Sequence, residues 1–226
     1  MATSSYGLFR AMGKRSKQRV LQLDDGTIER GENHDRDEHD FNATPWEATQ
    51  ALIEAERDRL ADFPLIWECA AGAGDMARVL VENGFAVHCS DIVDRGCDAE
   101  IRSFYDYVRD DRPSPAVMTN PPFAECNWRD GRGLWIDHGQ GLELDYMALL
   151  MSWAWPAAGG LKDLWNRYAP ARVYLMRWKI DFTGQGSPPA LHAWFVWDRQ
   201  SAGETVLRML DRPRQADRRQ GNLFSS

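Results

Sequence analysis

The stretch that decides the fold is residues 68–77, which read ECAAGAGDMA. The apolar run 65–67 directly before it predicts a short buried strand, and a helix is predicted to begin at Met76. Gly72 and Gly74 lie between the two, where glycine permits a tight turn and the close approach of a ligand to the backbone. The stretch therefore predicts the strand, turn and helix that open a nucleotide-binding α/β fold.

An acidic residue follows at the distance that a nucleoside site requires. Asp91 lies 19 residues after Gly72 and follows a second predicted strand, 85–89. A carboxylate at that strand end can accept hydrogen bonds from both hydroxyls of a ribose. The pattern predicts a nucleoside-type cofactor, and it leaves NAD and S-adenosylmethionine open because both carry an adenosine ribose.

A second motif, TNPPF at residues 119–123, follows a later predicted strand. A conjugated amine such as the N6 of adenine is a poor nucleophile, because its lone pair is delocalised into the ring. Acceptors at the Asn120 side chain and the Pro121 carbonyl would draw both N–H bonds and localise that pair, while Pro121 and Pro122 add no competing donor. Phe123 offers a flat face for an extruded base. An ordinary Pro-Pro turn at the end of a strand is the alternative interpretation.

Helical and strand patterns alternate over most of the chain, which is typical of βαβ units. We expect an α/β fold with a doubly wound, mostly parallel seven-stranded sheet and a terminal antiparallel hairpin. The further predicted elements are a helix over 48–60, a strand over 116–119, a long apolar helix over 142–155, and hairpin strands at 173–178 and 193–197.

Charge is unevenly distributed along the chain. The total is −7, from 27 Lys and Arg against 34 Asp and Glu, which argues against a general nucleic-acid coat protein. Residues 24–40 carry eight acids and two arginines, so they account for −6 of that total. We expect a charged, mobile arm over 1–38, a catalytic domain over 39–200, and a short helix with a basic tail over 201–226.

Several classes of protein and site are disfavoured by composition. No apolar run reaches the roughly 18 residues of a membrane span, and no secretory signal is visible, so we expect a cytoplasmic protein with no membrane partner. The four cysteines form no C-x-x-C pair, which disfavours both a zinc module and a disulfide framework. No metal is expected.

On these motifs the chain resembles the class I S-adenosylmethionine-dependent methyltransferases, in particular the amino-methyltransferases that act on adenine N6 in DNA. The likeness covers roughly residues 41–198 and includes ATPW at 43–46 before the first helix. It implies catalytic roles for Asn120, Pro121, Pro122 and Phe123. It also implies a cofactor site formed by Thr44, Pro45, Glu68, Ala70, Gly72, Gly74, Asp91, Ile92 and Asn120, with Phe104 as stacking face and Asp106 as acceptor for the cofactor's adenine.

The spacing of the motifs leaves no room for a large recognition domain, because only about 48 residues separate Gly72 from Asn120. Readout of the substrate would then come from two loops, 125–141 and 179–192. The aromatic segment 192–197, HAWFVW, resembles the family's target-pocket wall, and core packing is the alternative interpretation of its rings. The candidate substrate contacts are Trp128, Arg129, Arg132 and Trp194. The compact size fits an orphan or phage-type enzyme.

The expected activity is methylation of the N6 amine of a flipped adenine in duplex DNA, with catalysis by positioning and by removal of amine conjugation. An RNA adenine or a protein glutamine amide is an alternative substrate, since Asn-Pro-Pro-aromatic motifs serve those reactions too. A non-catalytic binding module with the same fold is a further alternative. An NAD-dependent oxidoreductase would leave the Asn-Pro-Pro-Phe motif unexplained.

Overall fold

The computed structural model describes residues 20–22, 28–30, 43–126, 133–182, 186 and 190–214. The chain divides into two units, Met1–Phe41 and Asn42–Ser226. In the first unit, strands β1 (Val20–Gln22) and β2 (Ile28–Arg30) pair antiparallel. These two strands depart from the mobile arm predicted over 1–38, and the rest of that segment lies outside the described residues.

The second unit alternates strands and helices along the chain. Its helices and strands are α1 (Trp46–Leu60), β3 (Ile66–Glu68), α2 (Asp75–Glu82), β4 (Val87–Asp91), β5 (Glu100–Ile101), β6 (Ala116–Thr119), α3 (Phe123–Cys126), α4 (Leu134–Gly141), β7 (Tyr146–Ser152), α5 (Lys162–Arg167), β8 (Arg172–Met176), β9 (His192–Asp198) and β10 (Val206–Leu210). Short 3-10 turns lie at Phe104–Asp106, Trp155–Ala157 and Gly159–Leu161.

Eight strands of the second unit form one sheet in the order β10-β8-β9-β7-β6-β3-β4-β5. All neighbours run parallel except β9, which is antiparallel to both β7 and β8. One face packs against α1 and α2, and the other packs against α4 and α5. The predicted doubly wound, mostly parallel sheet with a late antiparallel pair is thereby confirmed, and β10 extends it at one edge.

The prediction of a long helix over 142–155 is wrong. Residues 146–152 form β7, whose first six residues are buried in succession between the two helical layers. A strand buried on both faces has a continuous apolar sequence, which periodicity alone cannot distinguish from a buried helix.

The short helix expected within 201–226 is also not found in the described part of that segment. Residues 206–210 form β10, which pairs with all five residues of β8. Leu210 is the only buried residue of β10. The strand was missed because its sequence, an apolar run interrupted by Arg208, does not alternate apolar and polar residues as a half-buried strand does. Residues 215–226 lie outside the described residues.

Buried ion pairs join α1 to the amino ends of the sheet. Arg172 of β8 contacts Glu56 at 2.6 Å and Asp198 at 2.7 Å, and the two acidic side chains are only 3% and 4% exposed. Burial acts to raise the pKa of Asp198, but hydrogen bonds from Arg172 and Arg59 outweigh it and hold that pKa below its ordinary value. The stabilisation from Asp198 is therefore complete above about pH 4 and is lost as the pH falls through the lowered pKa.

We expect Arg172→Met to lower the free energy of unfolding by about 3–5 kcal/mol, because it leaves Glu56 buried without a cation and leaves Asp198 with Arg59 alone. Urea unfolding followed by circular dichroism measures the change. Arg177→Met is the matched control, since Arg177 pairs with Asp211 on the surface. That control should cost less than about 1 kcal/mol. Equal losses in the two variants would contradict this account of the network.

Candidate functional site

Two loops lie side by side where the central strands end. Strands β3 and β6 are parallel neighbours, with Trp67 opposite Val117. The chain leaves β3 toward β4 on one side and returns to β6 on the other, so the strand order reverses at this point. Ligands of open α/β sheets bind outside the carboxyl ends of the strands at such a reversal. The topology therefore brings the 68–77 turn and the 119–123 motif to one crevice.

Glu68 ends β3 and is only 1% exposed. Its carboxyl group accepts a hydrogen bond from the Thr119 hydroxyl at the end of β6. Burial raises the pKa of Glu68 to about 8, although that hydrogen bond and one from the Ala70 backbone act to lower it. Its second oxygen, Oε2, is buried and has no hydrogen-bond partner among the described residues. A buried carboxyl oxygen in this state suits a cationic group of a ligand.

The glycine turn lies directly against Asp91. The backbone N–H of Gly72 donates to Asp91 Oδ2 at 2.8 Å, so both parts of the first motif meet as predicted. Gly74 precedes α2 with φ +78°, and a Cβ there would lie 2.9 Å from the Cβ of Cys97. Glycine is therefore required at position 74 both by the backbone conformation and by the close packing of Cys97.

Asp91 is half-buried and also accepts a 3.0 Å hydrogen bond from the backbone of Val93. Two carboxylate oxygens have about four acceptor positions, so two backbone donors leave capacity for hydroxyl groups of a ligand. The next side chain, Ile92, is 53% exposed. An acceptor beside an exposed apolar side chain suits a ribose with a planar ring attached.

Asn120 is fixed by the segment that precedes α1. Its Nδ2 donates to the Thr44 hydroxyl at 3.0 Å, and Thr44 is itself buried beside Pro45. This contact joins residues 76 positions apart that the resemblance placed in one site. It also fixes the orientation of the amide, with Nδ2 directed to Thr44.

Phe123 lies in a group of three rings, which we call the aromatic cluster: Phe123, Phe182 and His192. The Phe123 and His192 rings are nearly parallel, with centroids 5.9 Å apart, and Phe182 meets His192 edge-on at 5.0 Å. Phe123 and Phe182 are half-buried. The ring that the second motif was predicted to offer to a base thus belongs to a wall built from three segments of the chain.

The surroundings of the other predicted site residues differ from one to the next. Phe104 is 1% exposed and stacks on Trp135 at 4.3 Å, which is the environment of a core residue. Trp194 is fully buried and donates its indole N–H to the Ala48 carbonyl, so its contacts are those of packing and not of a pocket wall. Asp106 is exposed. Trp128, Arg129 and Arg132 lie outside the described residues.

The sequence analysis gave Thr119 and His192 no individual role, although Thr119 lies in the TNPPF motif and His192 begins the aromatic segment 192–197. Thr119 belongs to the strand that carries the second motif, and a hydroxyl directly before Asn120 was its only signal. His192 was placed near the target pocket by the resemblance of that segment, with core packing as the alternative, and its ring nitrogens were not considered. Phe182 belongs to the loop 179–192, which the sequence analysis did name as a candidate recognition loop.

Within the described ranges, no group of three or more His, Cys, Asp or Glu side chains is placed to hold a metal ion. None of the described helices is both long enough and apolar enough to cross a membrane.

The sequence matches no known family model and no curated protein. Solved structures do share the fold. A protein from Pyrococcus horikoshii, proposed to be an RNA methyltransferase, is 13% identical with a TM-score of 0.53, over 71% of this chain and 87% of that one.

Two further structures extend this similarity. A protein from Listeria monocytogenes, proposed to be a class I S-adenosylmethionine-dependent methyltransferase, is 13% identical with a TM-score of 0.55, over 76% of this chain and 66% of that one. The modification subunit of a proposed type I restriction enzyme from Vibrio vulnificus is 10% identical with a TM-score of 0.52, over 77% of this chain and 48% of that one. This chain has the Rossmann-like fold of class I S-adenosylmethionine-dependent methyltransferases.

Proposed function

We propose that this protein transfers a methyl group from S-adenosylmethionine to the N6 amine of an adenine in DNA. The observation that carries the proposal is the contact between Asn120 and Thr44 beside the Glu68 carboxyl and the Gly72 turn. A nucleoside-binding turn and an amine-binding motif then border the same crevice. S-adenosylmethionine supplies a methyl group already activated by its sulfonium.

The acidic groups of the crevice favour this cofactor over a dinucleotide. Glu68 and Asp91 interact unfavourably as like charges, which contributes to the raised pKa of Glu68. A pyrophosphate would add negative charge next to them, whereas the ammonium and sulfonium groups of S-adenosylmethionine offer Glu68 Oε2 a cation. The residues proposed to hold the cofactor are Thr44, Pro45, Glu68, Ala70, Gly72, Gly74, Asp91 and Ile92.

The protein's part in the reaction is to hold the amine and to accept its protons. Asn120 Oδ1 and the Pro121 carbonyl would accept hydrogen bonds from the two N–H groups of the amine. The nitrogen lone pair is then localised on nitrogen instead of being delocalised into the ring, and is free to attack the methyl group. The proton released on methylation passes from these acceptors to water. Pro122 keeps the backbone rigid, and Phe123 stacks on the base, which must leave the duplex to reach this crevice.

Two observations bear on whether the substrate is DNA or RNA. A phenylalanine at position 123 and the similarity to a restriction-modification subunit favour DNA, with Trp128, Arg129 and Arg132 proposed to contact the strand. RNA adenine is the second candidate, because the Pyrococcus protein is assigned to RNA. A binding module without catalysis would not need the amide of Asn120 to be held in place.

A labelled-cofactor assay on three substrates distinguishes these candidates. Plasmid DNA, total RNA and a glutamine-containing peptide are each incubated with the protein and radioactive S-adenosylmethionine. We expect label in DNA, as N6-methyladenine after hydrolysis. Label in RNA alone would favour the second candidate, and cofactor binding without label in any substrate would favour the binding module.

Asn120→Ala should abolish methyl transfer and leave the affinity for S-adenosylmethionine within a few-fold, because the amide acts on the amine. We expect a loss of at least about 100-fold, the scale of one preorganised electrostatic contact. Labelled transfer and calorimetric titration measure the two quantities. Asn166→Ala, at an exposed asparagine, is the matched control and should keep full activity. Full activity of Asn120→Ala would refute the assignment.

Glu68→Gln should weaken cofactor binding about tenfold and change the protons released on binding. With a pKa of about 8, Glu68 is mostly protonated at pH 7 and must lose that proton to pair with a cation. Calorimetry at pH 7 in buffers of different ionisation enthalpy should find nearly one proton more released by the wild type than by Glu68→Gln. The difference should shrink toward pH 9, where Glu68 is already ionised. Equal proton release in the two proteins would contradict this role.

A further inference from the structure

His192 has a ring nitrogen that the fold does not use. The residue is 7% exposed, and its Nδ1 is buried with no hydrogen-bond partner among the described residues. Buried polar groups in native proteins almost always have a partner, so an exception requires an explanation. Such a group also destabilises the protein relative to an apolar ring of the same shape.

The position of His192 places its ring at the edge of the sheet where the crevice lies. His192 is the first residue of β9 and lies opposite Ser152, the last residue of β7. Because β9 runs antiparallel, its first residue reaches the edge where the parallel strands end. The ring packs nearly parallel to Phe123, three residues after Asn120, and Phe182 meets it edge-on.

The chemical state of the ring follows from its surroundings. Burial lowers the pKa of His192 to about 4, so the imidazole is neutral at physiological pH. A neutral imidazole has one N–H donor and one acceptor. It can therefore form a directed hydrogen bond with a polar atom at the edge of a ligand's ring, which a phenylalanine in the same place cannot do.

We propose that His192 is a substrate-binding residue that hydrogen-bonds through Nδ1 to a ring nitrogen of the target base while that base lies against Phe123. The inference rests on the proposed function and adds the residue that recognises the ring. An adenine carries a ring nitrogen acceptor beside its amine, whereas a glutamine amide has no ring to meet the cluster. His192 thus favours a nucleobase over a protein side chain.

Two variants separate the nitrogen from the ring. His192→Phe keeps an aromatic ring and removes both nitrogens, whereas His192→Asn places a polar atom close to the position of Nδ1. His88→Gln is the matched control, at a histidine on β4 that pairs with Glu100. Each variant is assayed for kcat/KM on a single-adenine oligonucleotide, for affinity toward S-adenosylmethionine and for its melting temperature.

We expect His192→Phe to lose at least about tenfold in kcat/KM, mainly through a higher KM, because a site that expects a hydrogen bond is left without it. Its melting temperature should equal or exceed that of the wild type, and its cofactor affinity should be unchanged. His192→Asn should recover to within about threefold of wild-type kcat/KM, since it restores the polar atom. A purely structural histidine would give neither the recovery nor the gain in stability.

The outcomes separate this inference from the proposed function. Wild-type kcat/KM in His192→Phe overturns the role of His192 and leaves methylation standing. If the wild type methylates no substrate, the proposed function fails. The role of His192 is then tested by fluorescence titration of an oligonucleotide that carries 2-aminopurine in place of the adenine. Weaker binding by His192→Phe than by the wild type would then support base recognition, and equal binding would overturn it.

Discussion

The parallel pairing of β3 with β6 is the constraint on which the rest of the site depends. It aligns the carboxyl ends of two strands that lie about 50 residues apart in the sequence, and the buried contact from Thr119 to Glu68 joins them there. The glycine turn follows one strand and the Asn-Pro-Pro-Phe motif follows the other. Because both loops begin from this rigid pair, the groups that would bind cofactor and amine are positioned before either ligand arrives.

The buried ion pairs and the candidate functional site lie at opposite edges of the sheet. At the amino edge, Arg172 and Arg59 pair with the two buried acids Glu56 and Asp198. At the carboxyl edge, Glu68 and His192 each keep a buried polar atom without a partner among the described residues. A protein that leaves such groups uncompensated gives up stability there, as functional sites commonly do. Tyr146 at the amino edge also has a buried hydroxyl without a partner among the described residues, so the strand-order reversal and the two motifs are the reason to regard the carboxyl edge as the site.

The sequence predicted what depends on local chemistry and missed what depends on packing. The glycine turn, its partner Asp91 and the second motif were predicted because strand ends, glycines and spacing are local signals. The helix predicted across β7 failed because burial on both faces removes the alternation that marks a strand. Phe104 and Trp194 were placed in the site by the family resemblance, and their burial comes from neighbours distant in the sequence.

The central claim is that one crevice holds a cofactor and the amine of an adenine. The most direct test is methylation-sensitive sequencing of DNA from cells that express the protein, compared with cells that express no copy. The account predicts N6-methyladenine at a defined short sequence in the expressing cells alone. Unmodified DNA from cells in which the protein is folded and binds S-adenosylmethionine, or methylation at cytosine, would contradict it.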